Sequence, residues 1–177
     1  MFDETIDLEA FRKKPLDPRE FRTALGCFAS GVCIMTTRRA DGKREGLTCN
    51  SFSSVSLTPP MVLWSLARTA LSAQSFVDAE FFAVNVLSLE QQEISAHFAR
   101  SAEDKFAVIE PLLVDGLGGV PLIEGCSARF ECRNQFQNYG GDHIVFIGTV
   151  ERFAYWDRAP LLFHRGRYGS LGPSAGV

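Results

Sequence analysis

The sequence predicts a mainly β chain with short helices, curled into a barrel. Three features carry this. Six or more short β-rich runs cross the 177 residues, the helical stretches between them are short, and no regular β-α-β alternation is present. The last third adds a strict two-residue alternation, Cys126, Ala128, Phe130 and Cys132 against Arg129, Glu131 and Arg133, the signature of a strand with two unlike faces.

Residues 1–16 mix charge and apolar side chains without period and read as an arm. Pro15 and Asp17-Pro18 separate them from a domain over 17–171, and 172–177 form a tail. Asp17, Pro18 and Glu20 stand as N-cap, first-turn proline and capping acid of a helix with Phe21, Ala24, Leu25 and Phe28 on one face, ending near Gly31. Val32 to Thr37 and Glu45 to Ser56 form a hairpin about the turn Ala40-Asp41-Gly42-Lys43, and Pro59-Pro60 closes it. Met61 to Leu66 and Phe81 to Leu87 are nearly all apolar, as expected of strands covered on both faces, with a short helix over Thr69 to Ala79 between them. Ser88-Leu89-Glu90-Gln91 opens another helix through Ile94 and Phe98. Residues 100–121, rich in charge, glycine and proline, read mainly as loop, with at best a short strand. Asn138-Tyr139-Gly140-Gly141-Asp142 turns the alternating strand back into Ile144 to Tyr155, and Leu161 to His164 is the last strand.

Bulk properties narrow the function classes. A formal charge of −3 and a pI near 5.6 argue against a nucleic-acid surface, which needs a concentrated basic excess. No secretory signal or membrane-spanning run is visible, so a soluble cytoplasmic protein that does not engage membranes is expected. Five cysteines, without a C-x-x-C pair or cysteine-histidine spacing suited to zinc, read as reduced thiols serving as small core residues, with no metal site. Cys126 and Cys132, placed on one strand, are about 20 Å apart and too distant to pair.

Nucleophile, zinc and phosphate-loop motifs are missing, so any difficult chemistry falls to a bound cofactor that the protein orients. Gly46 to Ser56 concentrates hydroxyl and amide groups that can serve a ring edge or a phosphate, or simply bond backbone. Arg68, Thr69 and Ser72, at a strand end and helix start, can hold an anion, or can be a surface charge and a helix cap. His143 sits in a glycine-rich turn from which it can reach a ligand.

In order along the chain, Phe28-Ala29-Ser30-Gly31-Val32, Gly46-x-Thr48-x-Asn50-Ser51-Phe52-x-Ser54-Val55-Ser56, Ser56-Leu57-x-Pro59-Pro60, Phe82-Ala83-Val84-Asn85-Val86-Leu87, Gln92-x-x-x-Ser95-x-x-Phe98, Gly141-Asp142-His143-x-x-x-x-Gly148-x-Val150 and Gly166-x-Tyr168-x-x-Leu171 resemble the flavin reductase family of FMN-binding split barrels, the small components of two-component monooxygenases. The resemblance, running from about Phe21 to Leu171, implies a homodimeric split β-barrel that uses NADH or NADPH to reduce FMN or FAD for a partner monooxygenase. It implies flavin contacts from Thr48, Asn50, Ser51, Ser53 and Ser54, phosphate contacts from Ser65, Arg68 and Ser72, and a nicotinamide-binding, catalytic role for His143. In one departure, Arg68-Thr69-Ala70-Leu71-Ser72 stands where many relatives have a serine sooner. Hydride transfer between stacked rings needs proximity rather than a strong protein acid or base, which agrees with the missing triads. The alternatives are an FMN-dependent oxidase resembling the pyridoxamine-phosphate oxidases, which would lack Gly141-Asp142-His143, and a non-enzymatic flavin-binding module.

Overall fold

The computed structural model describes residues 16–102 and 104–172, so the expected arm and tail lie almost wholly outside the described residues. Asp17 caps α1 (Pro18–Leu25), its carboxylate accepting the Arg19 N–H at 2.7 Å, and Pro18 occupies the first turn, where no N–H partner is required. The helix ends at Leu25 rather than near Gly31. Gly26 instead gives its carbonyl to the Arg165 N–H at 2.8 Å, and the chain turns off into β1 (Ser30–Gly31), paired with β11 (Leu162–His164). That contact joins residues remote in sequence, so local pattern cannot show it.

The central sheet has the order β3-β2-β6-β9-β10-β5-β4. Its strands are β2 (Cys33–Arg38), β3 (Arg44–Cys49), β4 (Ser53–Leu57), β5 (Pro60–Ala67), β6 (Phe81–Val86), β9 (Ala128–Gly140) and β10 (His143–Tyr155). β3 and β4 occupy opposite ends of this order, yet only Asn50, Ser51 and Phe52 separate them in sequence. Four peptide steps reach at most about 14 Å. The sheet must therefore curl until its two edges meet, giving a barrel that is split along a seam between β3 and β4. The expected single strand from Glu45 to Ser56 is thus two strands that pair with different neighbours.

Inside, Trp64 stacks on Phe146 at 4.7 Å and takes Phe76 edge-on at 4.9 Å. Phe76 comes from α2 (Ala73–Asp78), which packs against the barrel core. This helix starts four residues later than expected, because turns occupy residues 68–72 and the Arg68 N–H is held by the Asp142 carbonyl at 2.9 Å. β6 is covered on both faces, as its composition predicts, since Leu122 of β8 (Pro121–Ile123) and Val120 just before it pack over Ala83. β5 is not. Val62, Trp64 and Leu66 point into the core, while Leu63, Ser65 and Ala67 face outward and are only half-covered.

A second cluster outside the barrel wall joins Ile34, Leu87, Ile123 and Leu161 to Phe98 of α3 (Gln92–Phe98) and to Phe106. The Gln91 side chain accepts the Ser88 N–H at 3.1 Å at the entry to α3, as the capping pattern predicts. Within 100–121, the expected loop holds a 3-10 segment, Ala107–Leu112, and β7 (Leu113–Asp115), which pairs with β8. The chain closes with β11 (Leu162–His164) and β12 (Arg167–Gly169), the latter unforeseen. All five cysteines are free. Cys126 precedes β9 rather than lying on it, and is buried in the outer cluster while Cys132 is buried in the barrel core.

Candidate functional site

The seam gathers the hydroxyl-rich segment. The Ser51 hydroxyl donates to the Ser65 carbonyl at 3.0 Å and accepts the Ser65 N–H at 2.9 Å, tying the β3–β4 link to the middle of β5. It also lies 3.0 Å from the Cys49 sulfur. Ser51 is therefore fully engaged within the chain and acts by holding the seam. Burial pushes the Cys49 thiol above its ordinary range, and the bonds to Ser51 lower it less than burial raises it, so Cys49 stays protonated and is no nucleophile. Thr48 donates its hydroxyl to the Ser95 carbonyl of α3 at 2.7 Å, which leaves its oxygen as an acceptor. The Asn50 amide is exposed and reaches the Ser30 hydroxyl at 3.2 Å; Ser53 and Ser54 are exposed at the start of β4.

His143 begins β10, directly opposite Ala67 of β5 and Gly140 of β9. Residues opposed across an antiparallel pair share a face. Ser65 stands opposite Val145 and Ser53 opposite Leu63, so Ser53, Ser65, Ala67 and His143 all belong to the outward face, with small residues on both sides of the imidazole. Nδ1 of His143 is bonded to the Asp142 carboxylate at 2.7 Å. That bond holds the Asp142 carboxyl below its ordinary value and, with Nδ1 as donor, leaves Nε2 free to meet a ligand.

The three residues expected at a phosphate are divided. Arg68 lies just past β5 with its guanidinium 5.1 Å over the Tyr139 ring, and Tyr139 is opposite Ile144 on the inward register, so Tyr139, with Arg68 against it, and His143 lie on opposite faces of the sheet. Ser72 is half-buried before α2, without a side-chain bond to the helix, and Ser65 lies on the outward face. Residues that sequence reasoning left without a role are also joined to this region. The Ser95 hydroxyl bonds the Tyr168 phenol at 2.9 Å, and Ser95 accepts from Thr48, so Thr48 is linked to β12. Ser95 and Tyr168 both fall within the sequence landmarks, but only their spatial contact assigns them this role.

A split barrel with hydroxyl and amide groups along its seam and a histidine on an adjoining outward face offers donors and acceptors suited to holding an organic cofactor. The chain belongs to the flavin reductase like domain family, whose model matches residues 25–172. It is 43% identical over 151 residues to the NADH-dependent FMN reductase SmoA of Agrobacterium fabrum, covering 85% of this chain and 84% of that protein. Identity to the reductase subunit HsaB of a flavin-dependent monooxygenase from Rhodococcus jostii is 38% over 169 residues, 95% of this chain and 85% of the relative. The NADH:FAD oxidoreductase of Streptomyces globisporus, solved with NAD and FAD fragments, superposes with a TM-score of 0.84 at 35% identity, covering 92% of this chain and 99% of that one.

Proposed function

We propose that this chain is an NAD(P)H-dependent flavin reductase that reduces FMN or FAD and delivers reduced flavin to a partner monooxygenase, working as a cytoplasmic homodimer built from the domain over 17–171. The observation that carries the reading is the Ser51–Ser65 bridge. It sets the Thr48–Ser54 groups beside the outward face that bears His143.

The donor set suits a flavin. Thr48 offers an acceptor, Asn50 an exposed amide with both functions, and Ser53 and Ser54 exposed hydroxyls, a mixture matched to a ring edge and a polyol chain. A bound flavin supplies the hydride acceptor and the reduced nicotinamide the donor. The chain's own task is orientation. Thr48, Asn50, Ser53 and Ser54 hold the ring and ribityl chain, Ser51 fixes the seam, and Ser65, on the same outward face as Ser53, serves the phosphate without Arg68, which is turned to the opposite face with Tyr139. His143, aimed by Asp142, binds and orients the nicotinamide, with Ala67 and Gly140 leaving room for a flat ring.

Dimerisation rests on α1 and its exit. Phe21 and Leu25, four residues apart on α1, and Phe28, three residues past its end, are 52%, 59% and 81% exposed, apolar side chains that suit a second copy of the chain. The free thiols suit a reducing compartment. Among the described residues no helix is long and apolar enough to cross a membrane. The test is anaerobic oxidation of NADH and of NADPH with added FMN or FAD. Turnover with at least one pair is expected; a folded protein that consumes neither nicotinamide overturns the reading.

A further inference from the structure

β3 ends the sheet order, with β2 as its neighbour, so its position at the seam depends on contacts from outside the sheet. α3 provides them. Gly46 and Thr48, two residues apart on β3, share a face, and α3 lies over it. At Gly46 the approach is close: a Cβ there would fall 2.9 Å from both the Phe98 and the Phe106 rings, which meet edge-on at 5.1 Å. At Thr48 the Ser95 carbonyl takes the hydroxyl proton at 2.7 Å. The placement of α3 on β3 therefore fixes the direction in which the Thr48 oxygen is left to accept.

Lys105 joins the two elements directly. Its Nζ donates to the Gly46 carbonyl at 3.1 Å and to the Phe98 carbonyl at 3.0 Å, so one ammonium bridges the strand and the last turn of the helix, the end that favours a cation. The turn that carries it is held on both sides. His97 Nε2 bonds the Lys105 carbonyl at 3.0 Å, and the Asp104 carboxylate accepts the Phe106 and Ala107 N–H groups at 2.9 and 3.3 Å. Burial pulls the Lys105 amine below the ordinary lysine range, against a smaller opposing effect of Glu45.

The rings of Phe98 and Phe106 hold α3 on β3, but apolar packing is non-directional and does not by itself set the register of a helix along a strand. Two directional bonds from one ammonium do. A slip of α3 along β3 frees the Thr48 hydroxyl to rotate, so that it offers a proton where it now presents an acceptor. We propose that Lys105 is a positioning residue for flavin binding: by locking α3 against β3 it keeps Thr48 bonded to Ser95 and its oxygen turned to the ligand. The proposal rests on the reading of Thr48 as a flavin contact.

Calorimetric titration with FMN and with FAD, the tighter of the two serving throughout, measures flavin affinity without turnover. K105M keeps the length of the side chain and removes its donors; it is expected to weaken flavin binding by roughly fivefold or more, the loss of one hydrogen bond to the ligand. K105R, which keeps donors for both carbonyls, should recover most of that affinity. T48V removes the acceptor and should weaken binding by about the same factor as K105M. In the T48V background K105M should add little, a result that a general loosening of the fold does not give. In steady state the K105M loss should appear in KM for the flavin rather than in kcat. Wild-type flavin affinity in K105M, or a K105M loss that recurs in full in the T48V background, overturns the proposal and leaves the Thr48 contact standing. T48V that binds flavin as wild type does, or a wild type that binds neither flavin, removes the Thr48 contact and the role of Lys105 with it. Should K105M not fold, K105Q, with a donor for one carbonyl, is expected to lose affinity by a smaller factor, and wild-type affinity there overturns the proposal as well.

Discussion

At the scale of single residues, environment decides which side chains are available for chemistry. His143 is half-buried with one nitrogen committed to Asp142, so replacing it removes a positioned ring while leaving the barrel core untouched. His143→Ala is expected to lower the NADH-dependent rate by roughly tenfold or more, with an unchanged circular dichroism spectrum; an unaltered rate would remove its assigned role. The buried thiols show the opposite case. Burial raises Cys33, Cys49, Cys126 and Cys132, the last two to about 12. For a group raised in the folded state, the stabilisation is complete below the unfolded value and is lost as pH climbs through the folded one. Denaturant midpoints should therefore be insensitive to these thiols at neutral pH and fall between about pH 9 and 12, by ~1.4 kcal/mol per pH unit for each thiol that ionises only when unfolded. Exposed Cys27 should be the thiol that reacts with a disulfide reagent in the native protein at pH 8.

At the scale of elements, strand pairing sets distances that composition cannot. Gly148 lies in β10 beside a register shift, where a Cβ would fall 2.5 Å from the Phe82 ring and 3.0 Å from Cys132. Neither neighbour can withdraw, since both are fully packed in the barrel. Gly148→Ala is expected to destabilise by about 1–3 kcal/mol, read from urea denaturation. The glycine was legible as a landmark, but its reason was not: β6 and β10 flank β9 and curve until Phe82 occupies the space a side chain would need. The early end of α1 has the same kind of cause, a backbone bond from Arg165 that overrides a locally acceptable helix.

At the scale of the whole molecule, the open question is what covers the apolar side chains the chain leaves outside. Phe28, 81% exposed, and Leu25, 59% exposed, flank Gly26 and Cys27, next to the arginine-bearing hairpin. Burying a phenylalanine in a subunit contact contributes roughly 1.5–3 kcal/mol, whereas a carboxylate there must be desolvated. For the proposed homodimer, Phe28→Asp is expected to shift sedimentation velocity from dimer to monomer while keeping the far-ultraviolet spectrum. A variant that sediments as wild type would place the subunit contact elsewhere.

The sequence by itself determined the mainly β class, the strand-rich order, the Asp17 and Ser88 helix starts and the hydroxyl-rich run from Thr48 to Ser54, because each follows from local spacing or capping chemistry. Tertiary structure decided where the seam lies, that β5 has one half-covered outward face, that Arg68 and His143 sit on opposite faces of the sheet, and that Arg165 and Arg167 share a groove. The physical reason is separation. Ser51 and Ser65 are 14 residues apart and Ser95 and Tyr168 are 73, so the bonds joining them form only after the sheet has curled.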